Sequence, residues 1–562
     1  MIRSSIAFLL LAAGCARGPQ VVDVQLLAFN DFHGTLDPAA GSNGRVQTTD
    51  AGGVEFFATH LARLKASNPS TIVVSAGDNI GASTLLSGMF HDEPTIEALG
   101  DAGLQISTVG NHEFDEGWAE LYRMQTGGCH PVDGCQDQTP FAGATFEFLS
   151  ANVAFDPARV DQQALARSGW TPRGNGPQTL FPGSTIREIG GVKVGFIGLV
   201  LQDAADIVSP AGVKGLTFQP AIEAGNAAAA GLISQGVKAI VVLIHEGGRT
   251  DSDDPNACDV RGPIVDIASG LSNDIDVIVT GHTHHAYVCT MGTKLVTSAL
   301  SLGRVITDID LAIDRRSGEV VSKRARNEIV TRDVPKRTTV TALLDHYRPW
   351  SATVAARPVG TISSELRRQR ATDGESVLGG IVADAYLEAG RAVDAAAIAA
   401  LANSGGIRAD LIGQPQAQPG GPRQVLYADV FDVLPFGDVI MVKTMNGDGI
   451  LRWLEQQFDN PEPASDRMLQ VSGITYRYTR ANPAGQRIER ASVRIGGRAL
   501  VPAQRYRVVS TDFLWNGGDA FTVAQEGTDP VATVTDIDAF VAYLARHSPA
   551  GPGRQDRITR LP

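Results

Sequence analysis

Between residues 21 and 315, short apolar runs alternate with amphipathic and polar stretches. Val22–Phe29, Thr71–Ser75, Ile106–Val109, Val192–Leu199, Ala239–Ile244 and Asp276–Thr280 are rich in Val and Ile and bounded by Gly, Asn or Asp. That pattern predicts β-strands. Gly53–Ala66 and Pro220–Gln235 carry apolar positions at helical spacing and predict helices between them. The alternation argues for a layered domain of the α/β (α+β) class. From Pro335 the text changes. Val340, Leu343, Leu344, Tyr347 and Val354 fall along one helical stripe and predict a connecting helix. Pro358 opens a second region. There Ala383–Leu401 reads as an Ala-rich helix, and Leu426–Val442 and Arg505–Thr511 read as strand-rich. Gly413–Pro422 reads as a Gln/Pro/Gly loop and residues 548–562 as a loose tail. The expected organisation is a leader over 1–20, a first domain over 21–334, a linker helix over 335–357, a second domain over 358–547, and the tail.

Composition narrows the function classes. The chain has 562 residues, of which 43% are hydrophobic, enough to fill sizeable cores. That excludes a largely disordered chain and a disulfide miniprotein. A formal charge of −13 argues against a binder of nucleic-acid polymers, whose phosphates want a basic surface. A pocket for one small anion remains compatible with it.

The N-terminus, MIRSSIAFLLLAAGC, sets Arg3 before an apolar run from Ile6 to Ala13. The run is too short to cross a bilayer and reads as an export signal. Ala12, Ala13 and Gly14 before Cys15 resemble a bacterial lipoprotein box, although Leu11 stands one residue early. A lipid anchor on Cys15 and ordinary cleavage between Gly14 and Gly18 are the two alternatives. Both imply a periplasmic or cell-envelope protein that touches a membrane only through such an anchor. Export favours disulfides among Cys129, Cys135, Cys258 and Cys289. The short turn-forming loop between Cys129 and Cys135 favours that pair and leaves Cys258 with Cys289.

Residues of ligand type follow the ends of the apolar runs. VQLLAFN leads to Asp31 and His33, TIVVSAG to Asp78, and ISTVG to Asn111, His112 and Asp115. AIVVLI leads to His245, and DVIVTG to His282 and His284. Carboxyl ends of strands form the crevice of α/β folds. Taken singly, such residues are usually turn-formers or hydrogen-bonding partners. Five strand-end clusters together are hard to attribute to turns. Carboxylate, amide and imidazole without thiolate suit Zn, Mn, Fe or Co. The number of donors exceeds one tetrahedral ion and fits two ions sharing a carboxylate.

Asp31-Phe32-His33, Gly77-Asp78, Gly110-Asn111-His112-Glu113, His245 and Gly281-His282-Thr283-His284 resemble the motifs of the calcineurin-like dimetal phosphoesterases. FNDFHG, AGDNIG, TVGNHEFDEG and VTGHTHH look like the 5′-nucleotidase branch. The resemblance implies an N-terminal four-layer αββα metallophosphoesterase sandwich, a linker helix and a C-terminal mixed α/β substrate-binding domain. It implies that Asp31, His33 and His284 hold one divalent ion, that Asn111, His245 and His282 hold the other, and that Asp78 bridges. Some 5′-nucleotidases carry Gln where His284 stands. His112 would hydrogen-bond the phosphate, oriented by Asp115. His285 and Glu113 are read as supporting residues. The implied reaction is in-line attack of a metal-bound hydroxide on a phosphorus ester.

In the second region, NSGGIR (403–408), LPFG (434–437) and DFLWNGGD (512–519) place amide, guanidinium, aromatic and carboxylate groups on turns. Alone they permit ligand binding without requiring it, since Gly-rich turns usually serve backbone geometry. They look like the C-terminal 5′-nucleotidase motifs. By position Asn403 and Arg408 would bind substrate, Phe436 and Phe513 would clamp the base, and Asp519 would hold the ribose. Ser404 replaces a Gly, and ESVLGG (375–380) lacks two Asn of the family pattern. The preceding arginine is not uniquely aligned among Arg367, Arg368 and Arg370, and Arg370 is the one named. The leading expectation is an exported nucleotidase acting on nucleoside 5′-monophosphates and UDP-sugars, with the substrate between closing domains. The alternatives are a 2′,3′-cyclic phosphodiesterase with 3′-nucleotidase activity, a thiosulfohydrolase, and a non-catalytic nucleotide-binding envelope protein.

Overall fold

The computed structural model describes residues 21–173, 178–415, 420–458 and 467–562. The expected leader with Cys15 lies outside the described residues, as do positions 416–419 of the expected loop.

Two six-stranded sheets form the first half. One runs, edge to edge, Val320–Ile329, Val305–Asp314, Val21–Phe29, Thr71–Ser75, Leu104–Thr108, Glu147–Leu149. The other runs Ala286–Met291, Lys294–Ala299, Val277–Thr280, Ala239–His245, Val192–Val200, Ser184–Ile189. Strand residues alternate faces, and this alternation builds the layers. Leu26, Ala28, Val74 and Ile106 of the first sheet meet Phe196, Val241, Leu243 and Val279 of the second in one core. Leu27, Phe29 and Val73 face outward onto the helices Val54–Lys65 and Glu93–Ala102. Ile240, Val242 and Ile278 face outward onto Ala221–Ser234 and Pro263–Gly270. The result is the expected four-layer αββα sandwich.

The connecting helix spans Thr338–Ala355. Its apolar stripe, Val340, Leu344 and Tyr347, is buried against the first half. Beyond Pro358 a five-stranded sheet runs Leu469–Ser472, Ala397–Asn403, Arg505–Thr511, Val439–Asn446, Thr528–Thr535. Apolar clusters cover both its faces, one of them packed by the helices Val377–Val393 and Asp536–Arg546.

Three expectations are corrected in this half. The helix read over Ala383–Leu401 ends at Val393, and Ala397–Asn403 is a strand inside the sheet. Asp394 accepts the Ala396 N–H and turns the chain, and pairing on both sides overrides the weak helical preference of alanine. The strand-rich reading of Leu426–Val442 fails over Tyr427–Val433, which is a helix. Asp429 accepts the Leu426 N–H at its start, and Val430 and Val433 reach the core at helical spacing. The tail is not loose. Ile558–Arg560 pairs in parallel with Tyr476–Tyr478, and Ile558 is buried although its neighbours in sequence are polar. Cys129 is bonded to Cys135 and Cys258 to Cys289.

Candidate active site

Parallel pairing brings the strand ends to one edge. Phe29 pairs with Ser75 and Ser75 with Ser107, so Asp31, Asp78 and Asn111 leave the first sheet together. In the second sheet Ile244 pairs with Thr280, which places His245 beside the turn carrying His282 and His284. The turns are strained. Asp31, His33, Asp78, His282 and His284 have φ of 51°, 50°, 51°, 70° and 55°, a left-handed conformation costing about 1–3 kcal/mol per residue. Backbone bonds hold them there: the Asp31 N–H donates to Gly77 and the His33 N–H to Asp78. Gly110 is required by closeness, because a Cβ there would lie 2.1 Å from Asp78 Oδ1.

The donors converge. Asp31, His33 and His284 form one group and Asp78, His245 and His282 another, with donor atoms in each group within 4.8 Å. Asp78 Oδ2 lies 2.9 Å from His245 Nε2 and 3.8 Å from His33 Nε2, so this carboxylate stands between the groups. Asn111 reaches the same cleft, and its Oδ1 is buried without a hydrogen-bond partner.

Main-chain carbonyls set the ring tautomers. His245 Nδ1 lies 2.8 Å from the Ala76 carbonyl and His33 Nδ1 2.9 Å from the Gly81 carbonyl, so both Nδ1 atoms donate. That leaves each Nε2 lone pair aimed inward. His245 Nε2 is buried without a hydrogen bond although Asp78 is close. His33 Nε2 faces His284 Nε2 at 3.0 Å. Electron-rich atoms gathered this closely call for a cation among them, and the donor set fits a pair of divalent ions.

Burial pushes His33 well below its usual range, His282 down to about 3, and His284 down. These rings are neutral and ligand-ready. Burial opposes charge on His245 too, yet Asp78 and Asp31 push it up to about 10. The carboxylates therefore draw positive charge to this point.

Glu113 supports the cluster, as the sequence reading expected, and so does Asn30, which that reading did not single out. Asn30 Nδ2 donates to Asp31 Oδ2 at 2.6 Å, and its Oδ1 accepts from the Ala299 N–H. Glu113 accepts the Asp78, Asn79 and Gly110 N–H groups. Its position beside His112 was the available signal. His112 Nδ1 donates to Asp115 Oδ2 at 2.8 Å. Burial disfavours the imidazolium, but the Asp115 and Asp78 charges prevail and raise its pKa.

The second half closes the cleft, a cavity of about 530 Å³ lined by Asn111, His112, Asp115, His282, Arg370, Asn403, Arg408, Phe436, Phe513 and Asp519. All six expected substrate residues are thus brought to it. The Phe436 ring lies parallel to His112, with centroids 5.8 Å apart, and Arg408 stands 5.9 Å from the Phe436 ring centroid. Asn403 Nδ2 donates to Asp519 Oδ2 at 3.0 Å, orienting that carboxylate. Arg249 and Arg467 also line the cleft. No motif marked them.

The calcineurin-like phosphoesterase model matches residues 24–286, and the model of the 5′-nucleotidase C-terminal domain matches residues 354–526. The endonuclease YhcR of Bacillus subtilis is 30% identical over 93% of this chain, which spans only 40% of YhcR. The cell wall protein Lmo0130 of Listeria monocytogenes is 29% identical over 94% of this chain and 68% of its own length. The crystal structure of a 5′-nucleotidase precursor from Thermus thermophilus superposes with a TM-score of 0.77 at 27% identity, covering 96% of this chain and 99% of that one. The two models match the two halves of this chain in turn and the neighbour superposes across both, so the chain belongs to the 5′-nucleotidase family of metallophosphoesterase-type hydrolases.

Proposed function

We propose that the protein is an exported phosphohydrolase that releases phosphate from nucleoside 5′-monophosphates, with UDP-sugars as a further substrate class. The observation carrying this reading is Asp78, a buried carboxylate between two groups of inward-facing donors, beneath a cleft whose other wall presents Arg408, Phe436 and Phe513. Export rests on the apolar leader and on the likeness to a cell wall protein.

Asp31, His33 and His284 would hold one divalent ion, Asn111, His245 and His282 the other, with Asp78 shared. When bound, such ions supply charge neutralisation at phosphoryl oxygens and acidify a water. The chain does the rest. Asp115 fixes the His112 ring so that Nε2–H can donate to the phosphoryl or leaving oxygen. Arg408 can fork onto the phosphate. Phe436 and Phe513 offer faces to a planar base, and Asp519, held by Asn403, accepts from ribose hydroxyls.

The test is phosphate release from 5′-AMP, UDP-glucose and 2′,3′-cyclic AMP by enzyme reconstituted with Zn, Mn, Fe or Co. Turnover of 5′-AMP in at least one metal is expected. Tight 5′-AMP binding without turnover in any metal would replace the proposal with a nucleotide-binding role. A second reading, phosphodiester cleavage, is favoured by the likeness to a protein named an endonuclease. Preferential turnover of the cyclic diester would select it.

A further inference from the structure

Beyond the residues of the dinuclear centre, His91, Glu116 and Glu120 line the same cleft, and His130 lies against them. His91 follows the short helix Leu85–Gly88, Glu116 follows Asp115, and Glu120 stands in the first turn of Trp118–Thr126. His130 sits inside the loop closed by Cys129–Cys135. The four offer donor atoms within 4.8 Å of one another. His91, Glu120 and His130 side chains are 15%, 9% and 14% exposed, and Glu116 is 44% exposed.

We propose that His91, Glu116, Glu120 and His130 form a third transition-metal site, of zinc type, on the wall of the cleft. Two imidazoles and two carboxylates are an N/O donor set typical of Zn²⁺. The site is assembled from segments held independently. His91 adopts φ of 50° and Asp92 φ of 64°, a left-handed pair that aims the ring out of the helix end. Arg123 clamps Glu120 through Nε and Nη2 and also binds Glu93. The disulfide ties down the loop carrying His130. His130 Nε2 stands 3.9 Å from Glu120 Oε2, too far for a hydrogen bond. Two ligands of one tetrahedral zinc lie about 3.4 Å apart, given metal–ligand distances of about 2.0–2.1 Å.

Two features set the conditions for binding. The His91 and His130 rings are stacked, centroids 3.8 Å apart and 17° between planes, so one ring must turn to put the ion in its plane. His91 also bonds Glu116 Oε2 at 2.7 Å and Asp133 Oδ2 at 3.0 Å. Glu116, Glu120 and Asp133 raise its pKa to about 9 against burial. Zinc must displace these hydrogen bonds to reach a nitrogen of the His91 ring.

Zinc titration at pH 8 into protein already loaded at its dinuclear centre should show one further ion per chain, by calorimetry and by elemental analysis after dialysis. A His91→Gln/His130→Gln variant should lose that ion and keep the pair, while His245→Gln/His282→Gln should lose the pair and keep the extra ion. Cobalt absorption, read on both variants, separates ligand loss from misfolding. Wild-type protein that takes up no ion beyond the pair in excess zinc, or an extra ion retained in His91→Gln/His130→Gln, would overturn the inference. Neither result touches the dinuclear reading, which stands or falls on the His245/His282 variant.

Discussion

On one wall of the cleft Asp31, His33, Asp78 and His245 are each at most 2% exposed, three of them sit on strained turns, and the two rings are fixed by main-chain carbonyls. On the other wall Arg408, Phe436, Phe513 and Asp519 are only half-buried; Phe513 stands in the short helix Asp512–Trp515, and only Asp519, held by Asn403, shares the left-handed conformation, with φ of 55°. The contrast follows from what each wall must do. Donors for a metal have to be stripped of water and held against their own repulsion, which demands rigid strand ends. Groups that meet a substrate have to stay open to it. Substitutions should therefore abolish function on the first wall and tune it on the second.

The largest expected effect is at Asp78. Asp78→Ala should lose both ions and bring turnover to background, as should exhaustive chelation. Full activity in verified metal-free protein would erase the distinction between the walls. Next is His112→Ala, expected to lower kcat by about 10²-fold or more with metal content intact. Asn30→Ala leaves every proposed ligand in place but removes the side-chain bond to Asp31 Oδ2, which then keeps only the His282 N–H, and should weaken metal affinity by about 10–100-fold. Phe513→Ala tests the second wall. Losing one stacking face is worth about 1–3 kcal/mol, a rise in KM for 5′-AMP of about 5- to 150-fold with kcat little changed. A comparable loss of kcat would mean that Phe513 serves the chemistry.

The smallest effect is on stability. Burial, with the Asp512 and Asp115 charges, pushes Asp438 up to about 7. A carboxyl raised in the fold stabilises it when protonated, and that contribution is lost as pH rises from about 4 through 7. Asp438→Asn should therefore melt near the wild type at pH 5 and by about a few °C higher at pH 8.5. Equal melting at both values would show that the fold does not raise the pKa of this half-buried carboxyl.

The first half was legible because its strands are apolar runs of the length a sheet needs and each donor comes within a few residues of a strand end. Thr71–Ser75 matched its expected bounds. The second half was harder because pairing partners lie far away in sequence. Ala397–Asn403 looks helical until Leu469–Ser472 and Arg505–Thr511 flank it. Ile558 is one apolar residue in polar text until the Tyr476 strand receives it. Within the site, side chains carried the signal and the main chain carried none. The Ala76 and Gly81 carbonyls, which choose the ring tautomers, have no sequence signature. His91 and His130 stand in no motif and meet only through the fold.

The connecting helix belongs to the first half. Glu55 accepts from Lys336 and Thr341, Tyr347 donates to Glu97, and Arg348 reaches Asp37. The tether to the second half is then the exposed Ala356, because the Arg357 carbonyl already accepts the Tyr427 N–H and Pro358 pairs with Leu426. So short a link keeps the second half at a local concentration of about millimolar beside the first. Cutting the chain at Arg357 would turn one enzyme into two separately titratable components, whose recombination would measure what covalent continuity contributes.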